Sequence, residues 1–319
     1  MNPLEKSAYT ALTVCLDLKR DESLLIVTDD NKLAIGKALY DIGKDIGDKA
    51  LLTLMPPATV NGAEPTEAVA GLMTQFDVVV CPTTKSLTHT NARRNACAKG
   101  ARVATMPGIT EDIMGRTLKA DYNLIAERTL KVSQILDKGK KALITSELGT
   151  NLTLPINGIK AISSTGLIKN RGQGGNLPSG ESFLMPEEGK SEGVIFIDGS
   201  LAGIGKINDA PVVVTIKNGF AVKYEGGPQA RQLFDQLNPL GPKAMNVAEL
   251  GIGTNHGAVI SGQILEDEKV MGTIHVAFGN NIGMGGSCDV GVHIDGVITN
   301  PTVVIDDVLL MEEGNLLIE

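Results

Sequence analysis

Residues 272–301 read GTIHVAFGNNIGMGGSCDVGVHIDGVITNP. Two apolar runs flank a glycine-rich connection, the first around His275 (Thr273, Ile274, Val276, Ala277, Phe278), the second ending in His293-Ile294-Asp295. A strand's period of two puts His293 and Asp295 on one face, an imidazole beside a carboxylate. A buried charged pair on an apolar strand needs a partner. Working outward, Glu249 ends a short apolar segment before Gly251-Ile252-Gly253, and Glu181 closes the loop NLPSGE. Two histidines and three carboxylates make a mixed nitrogen and oxygen ligand set that suits Zn, Mn, Fe or Co.

The surrounding sequence has the grammar of a β-rich domain. From about residue 142, short β-rich runs follow one another at 152–154, 193–197, 212–216, 221–224, 272–278, 290–294 and 302–305. One helix is predicted at 228–236. Of the 37 glycines, 10 lie in residues 1–150 and 27 after them, as tight turns between strands require. An α+β, mainly antiparallel, metal-binding catalytic domain is expected over residues 146–319.

The first half alternates instead. Strands are predicted at 24–28, 50–54, 78–80 and 102–105, and helices at 64–76, 91–99 and 121–136. A further helix face is formed by Leu33, Ile35, Leu39, Ile42 and Ile46. This is the pattern of an α/β, Rossmann-like domain with a parallel sheet, expected over residues 1–145. No GxGxxG follows the first strand and no GxxxxGK[ST] occurs, so a dinucleotide or P-loop role lacks its phosphate cradle. The loop 83–90 lies at a strand's carboxyl end, where such sheets bind ligands. With His89, Arg93 and Arg94 it is a candidate substrate-binding loop, or else a hydroxyl-rich cap on the next helix.

Composition narrows the function classes. Net charge is −8 with acids and bases interspersed, and no basic stripe is present, which argues against nucleic acid. Aromatics are 3% and Trp is absent, so the core must rest on Val, Ile, Leu, Ala and Met. The four cysteines are scattered without a CxxC pair, which fits reduced thiols. The N-terminus lacks the features of a signal peptide, and no apolar run approaches the ~20 residues of a spanning helix. A cytoplasmic protein with no membrane partner is expected. Three residues have plain structural readings: His256 in TNHGA as a satisfied polar group, Glu181 as a turn residue, and Glu268 in LEDEK as a solvated turn acid.

Four motifs occur in order: NLPSGESF with EGVIFIDGSL, NVAELGIGTN, EDEKVMGTIHVAFGNN and GVHIDGVI. Together they resemble the C-terminal half of the thermophilic aminopeptidase T family, peptidase family M29. The resemblance implies a two-domain metallo-aminopeptidase, homodimeric, removing the N-terminal residue of small peptides at a two-ion centre of Zn, Mn or Co. By position it puts the metal-binding glutamates on Glu181 and Glu249 and the remaining ligands on His275, His293 and Asp295. Metal-bound hydroxide would attack, with Glu181 as a possible carboxylate shuttle. The family's catalytic tyrosine position is Ile282 here, and the segment from His275 to His293 is shorter. The same scaffold resembles the 2,5-dihydroxypyridine dioxygenases, which use one Fe(II); His275, His293 and Asp295 would then form a 2-His-1-carboxylate set. Whether Glu181 and Glu249 reach the metal separates the two readings.

Overall fold

Runs that are apolar on both faces build the first sheet. Leu24–Asp29 and Val78–Thr83 are buried at every residue, the signature of strands covered by helices on either side. The computed structural model describes residues 1–318. The strands line up in the order Ala50–Met55, Leu24–Asp29, Val78–Thr83, Arg102–Pro107 and Gly174–Asn176, all parallel. The helix Leu33–Ile46 buries Ile35, Leu39 and Ile42, as its spacing predicts.

Hydroxyl caps set three of the remaining helix starts. Thr66, Thr90 and Thr110 each accept a backbone N–H three residues on, opening Glu67–Met73, Asn91–Ala98 and Glu111–Thr117. The expected helix 64–76 is therefore shorter. Glu64 instead accepts the backbone N–H groups of Asn91 and Ala92 at 2.6 and 3.1 Å, placing its charge at the positive end of the following helix. The helices Pro3–Tyr9, Thr10–Cys15 (a π-helix) and Glu111–Thr117 have no counterpart in the sequence reading.

The second half holds two antiparallel sheets. One has eight strands and contains Lys141–Thr145, Asn151–Pro155, Glu192–Ile197, Val212–Lys217 and Phe220–Glu225. The other has seven, and its middle runs His293–Thr299, Thr273–Gly279, Val247–Gly253, Glu181–Leu184. One shared core is packed between them. Leu250, Ile252, Ile274, Val276, Phe278, Ile294 and Ile298 come from one sheet, and Ile144, Leu152, Ile195, Val212 and Val214 from the other. Alternation therefore sends the intervening residues of the seven-stranded sheet to its opposite face. The strand expected at 290–294 begins only at His293 and runs to Thr299. Asn280 holds the preceding stretch as a loop by donating to the Val290 carbonyl at 3.0 Å.

The chain divides into two compact units, residues 1–126 with 165–179 and residues 127–164 with 180–319. The sequence places one break after residue 145. In the fold the division falls inside the helix Tyr122–Lys138, and a short return segment supplies the parallel sheet's edge strand Gly174–Asn176. Composition does not mark such a return, because three sheet residues leave almost no pattern.

Candidate metal centre

Register brings the predicted ligands together. Glu249 stands opposite Ala277, which stands opposite Asp295; one step along, Gly251 faces His275, and Gly279 faces His293. Gly253 pairs with Glu181 on the other side. Directly opposed residues share a face, so Glu181, Glu249, His275, His293 and Asp295 all project from the side of the sheet turned away from the core. A bulge between Val247 and Glu249 locally resets the ladder beside the glutamate.

The residues between the ligands are small for a reason. Ala277 separates Glu249 from Asp295, and Gly251 leaves room for an imidazole: a β-carbon there would lie 2.0 Å from His275 Nε2. His275 Nε2 sits 3.2 Å from Glu249 Oε1 and 3.7 Å from Glu181 Oε2. His293 Nε2 sits 3.2 Å from Glu249 Oε2 and 3.3 Å from Asp295 Oδ1. Glu249 thus lies between the two imidazoles. His293 Nδ1 is 2.7 Å from the Asn280 carbonyl, which can only accept; Nδ1–H donates, and Nε2 is left facing the two carboxylates. His275 is fully buried, whereas the His293 side chain is 32% exposed, so the cluster opens to solvent on the His293 side.

Among the described residues, ligand atoms gather within 4.8 Å of one another in each of two groups: Glu249, His293 and Asp295, and Glu181, Glu268 and His275. The second contains a residue read from sequence as a solvated turn acid. That reading is corrected: LEDEK is a buried turn of helix, Ile264–Asp267, followed by Glu268 and a buried Lys269. Asp267 and Glu266 accept the backbone N–H groups of Ser261, Gly262 and Val259, which fixes the turn. Lys269 Nζ donates to Glu181 Oε1 at 2.7 Å and also to Glu268. Glu181, read as a turn residue, is the buried first residue of a strand.

The charge state follows from this crowding. Burial pushes both imidazoles toward the neutral form, but the carboxylates outweigh it. Glu249 and Glu181 raise His275 to about 9, and Asp295 with Glu249 raises His293 well above its ordinary value. Burial would raise Glu249 and Asp295 as well, yet the imidazoles hold both below the usual carboxylate range. Glu268 is pushed up to about 7 by burial, the Lys269 charge opposing and the Glu181 charge reinforcing. Glu181 Oε2 and His275 Nδ1 are buried without a hydrogen-bond partner. A cluster that pulls protons onto its imidazoles and leaves a carboxylate oxygen unpaired fits a divalent cation, with oxygen and nitrogen donors of the kind Fe, Mn or Zn take.

Glu249, rather than His275, completes the close triad with His293 and Asp295, while Glu181 is tied to Lys269. Of the other histidines, His256 lies outside the cluster, its Nδ1 3.1 Å from an Arg128 nitrogen. His89, Arg93 and Arg94 belong to the first unit, not the one carrying the metal-type ligands. There Thr90 caps the helix, Arg93 Nε donates to the Thr88 carbonyl at 2.8 Å, and Arg94 donates to Asn91. The switch point of the parallel sheet is spanned by Asp29, which accepts from the Thr84 backbone N–H and hydroxyl at 2.5 and 2.8 Å.

Sequence reasoning missed Gly251, Asn280, Glu268 and Lys269. Gly251 had a usable signal: it is two residues beyond Glu249 on the same strand, where a ligand face needs space. Lys269 had none, because an ED-EK run is the ordinary composition of a wet turn.

A parallel α/β unit and a β-rich unit, the latter with a sheet face that gathers two imidazoles and several carboxylates, define a candidate metal-binding protein. The sequence pattern of the 2,5-dihydroxypyridine 5,6-dioxygenase (NicX) family matches residues 47–318, and the chain belongs to that family. No curated protein sequence matches. The fold is similar to that of the 2,5-dihydroxypyridine dioxygenase from Pseudomonas putida KT2440, at 17% identity and a TM-score of 0.85, over 99% of this chain and 97% of that one. It is also similar to AmpT from Thermus thermophilus, at 17% identity and a TM-score of 0.72, over 99% of both chains. The two-way resemblance read from the motifs is thus found in the fold. Among the described residues no helix is long and apolar enough to cross a membrane.

Proposed function

We propose that this chain is a single-metal dioxygenase that opens a small hydroxylated nitrogen heteroaromatic ring of the 2,5-dihydroxypyridine kind. One observation carries the reading: of the two ligand groups, the one around Glu181 already holds an ammonium, Lys269, so one cation position is left. Membership of the dihydroxypyridine dioxygenase family supports it.

Glu249, His293 and Asp295 would hold the ion, with His275 against Glu249 as a fourth donor or its support. A redox-active ion such as Fe(II), held there, would relay electrons from the ring to dioxygen, letting a triplet oxidant react with a closed-shell substrate whose own electrons reduce it. The chain's own residues do the rest. Asn280 fixes the His293 tautomer, so that Nε2 stays directed at the carboxylates. The apolar side of the sheet, packed on the second sheet, holds the ligand face rigid. Ile282, 48% exposed, offers no hydroxyl where the peptidase resemblance requires one.

A second reading, the two-ion aminopeptidase, keeps one specific observation: Glu249 lies between His275 and His293 as a bridging carboxylate would. The test separates them. Protein purified anaerobically without chelator is analysed for metal, then assayed for oxygen uptake with 2,5-dihydroxypyridine and for amine release from an aminoacyl p-nitroanilide. One Fe per chain with substrate-dependent oxygen uptake is expected. Two Zn, Mn or Co per chain with amine release would replace this reading by the hydrolase. Iron-loaded protein that consumes no oxygen with any hydroxypyridine would refute it.

A further inference from the structure

We infer that the Lys269 ammonium is a built-in substitute for a second metal ion, and that removing it creates a second cation site from Glu181, Glu268 and His275. The inference deepens the single-metal reading and rests on it. Lys269 is 1% exposed, and its Nζ is 2.7 Å from Glu181 Oε1 and also against Glu268, the two carboxylates of the second ligand group. An ammonium at that distance occupies the volume an ion would need, and its charge repels one. The placement is anchored by the main chain. The Lys269 N–H donates to the Glu266 carbonyl at 2.9 Å, and its carbonyl accepts from Asn255 N–H at 2.8 Å. Gly253 permits the approach of this segment, since a β-carbon there would fall 2.1 Å from the Val270 carbonyl oxygen. The remaining oxygen of Glu181 is buried, unpaired and 3.7 Å from His275 Nε2, a donor pointing into the same place. A lysine cannot dissociate, so ion number is set by the sequence rather than by metal supply.

The experiment counts ions. Wild type, Lys269→Ala and Lys269→Gln are stripped of metal, dialysed against Mn²⁺, and analysed for bound Mn per folded chain. Each variant is expected to bind one ion more than wild type, and Lys269→Ala/Glu181→Ala to lose that extra ion. Lys269→Gln removes the charge and, one atom shorter, stops short of the position the ammonium fills, while its neutral amide still offers the buried turn a polar group, so a second variant is available should Lys269→Ala unfold. Folded variants with no added ion, or a wild type that already binds two, would overturn the proposal. The readout is a difference: a wild type binding none and variants binding one would refute the single-metal reading while upholding the role of Lys269.

Discussion

Gly251 and His275 face one another on neighbouring strands, and the glycine's missing β-carbon is the space in which the imidazole lies. Its backbone is ordinary strand, so the requirement is one of volume. Gly251→Ala must push the ring off Glu249 or spread the two strands. The variant is expected to fold with a loss of about 1–3 kcal/mol, as overpacking costs. Metal affinity should fall about 10–100-fold, as when a residue that supports a ligand is lost. Chemical denaturation and competition with a chromophoric chelator measure the two. Unchanged affinity would mean His275 is not a ligand and does not position one.

The four histidines divide sharply by position. His293 touches both Glu249 and Asp295, whereas His256 touches Arg128 outside the cluster. His293→Ala should abolish tight metal binding, and His256→Ala should leave it within about twofold, an effect well under the roughly 1.4 kcal/mol that a tenfold change represents. Isothermal titration with Mn²⁺ reads both. Equal losses in the two variants would place the cation elsewhere.

Much of this arrangement was legible beforehand, and for a physical reason. Strand period fixes which side chains share a face, so the i, i+2 step from His293 to Asp295 puts the two side chains together, as their 3.3 Å contact has it. The alternation of strands and helices gave the parallel sheet in the same way. What stayed hidden depends on contacts between distant segments. Lys269 and Glu268 sit in an acidic-basic run whose burial follows from Asp267 closing onto the Ser261–Gly262 backbone. Nothing local to the run requires that. Gly174–Asn176 joins the parallel sheet only after the chain has made Lys141–Thr145 and Asn151–Pro155, two strands of the second unit's eight-stranded sheet, and three residues carry no periodicity.

Glu188 ties together the loop between the two central histidine strands. It accepts from the Ser287 hydroxyl at 2.6 Å, the Ser287 N–H at 2.8 Å and the Asn281 amide at 2.9 Å. The Ser287 hydroxyl, followed by the opposing effect of burial and then Asn281, holds its carboxyl below the ordinary 4.5. A carboxylate lowered by folding stabilises above its unfolded value and loses that contribution as pH falls through the folded one. Wild type should therefore exceed Glu188→Gln in stability near neutrality, with the gap closing below about pH 4.5. Urea midpoints at several pH values check this, and a gap that widened in acid would reverse the assignment.

The two faces of the ligand sheet should fail independently. Ile274 precedes His275 on the same strand but points into the shared core, where it is fully buried. Ile274→Ala removes apolar contacts and leaves a cavity, a loss of about 2–5 kcal/mol for a core isoleucine. The ligand face is set by backbone register, which five paired positions between Thr273–Gly279 and Val247–Gly253 preserve. The variant is expected to melt earlier yet bind the same number of ions per folded chain. His293→Ala should do the reverse, losing the ion with a smaller stability change in the metal-free protein. A loss of metal stoichiometry in folded Ile274→Ala would show that core packing, and not register alone, holds the ligands in place.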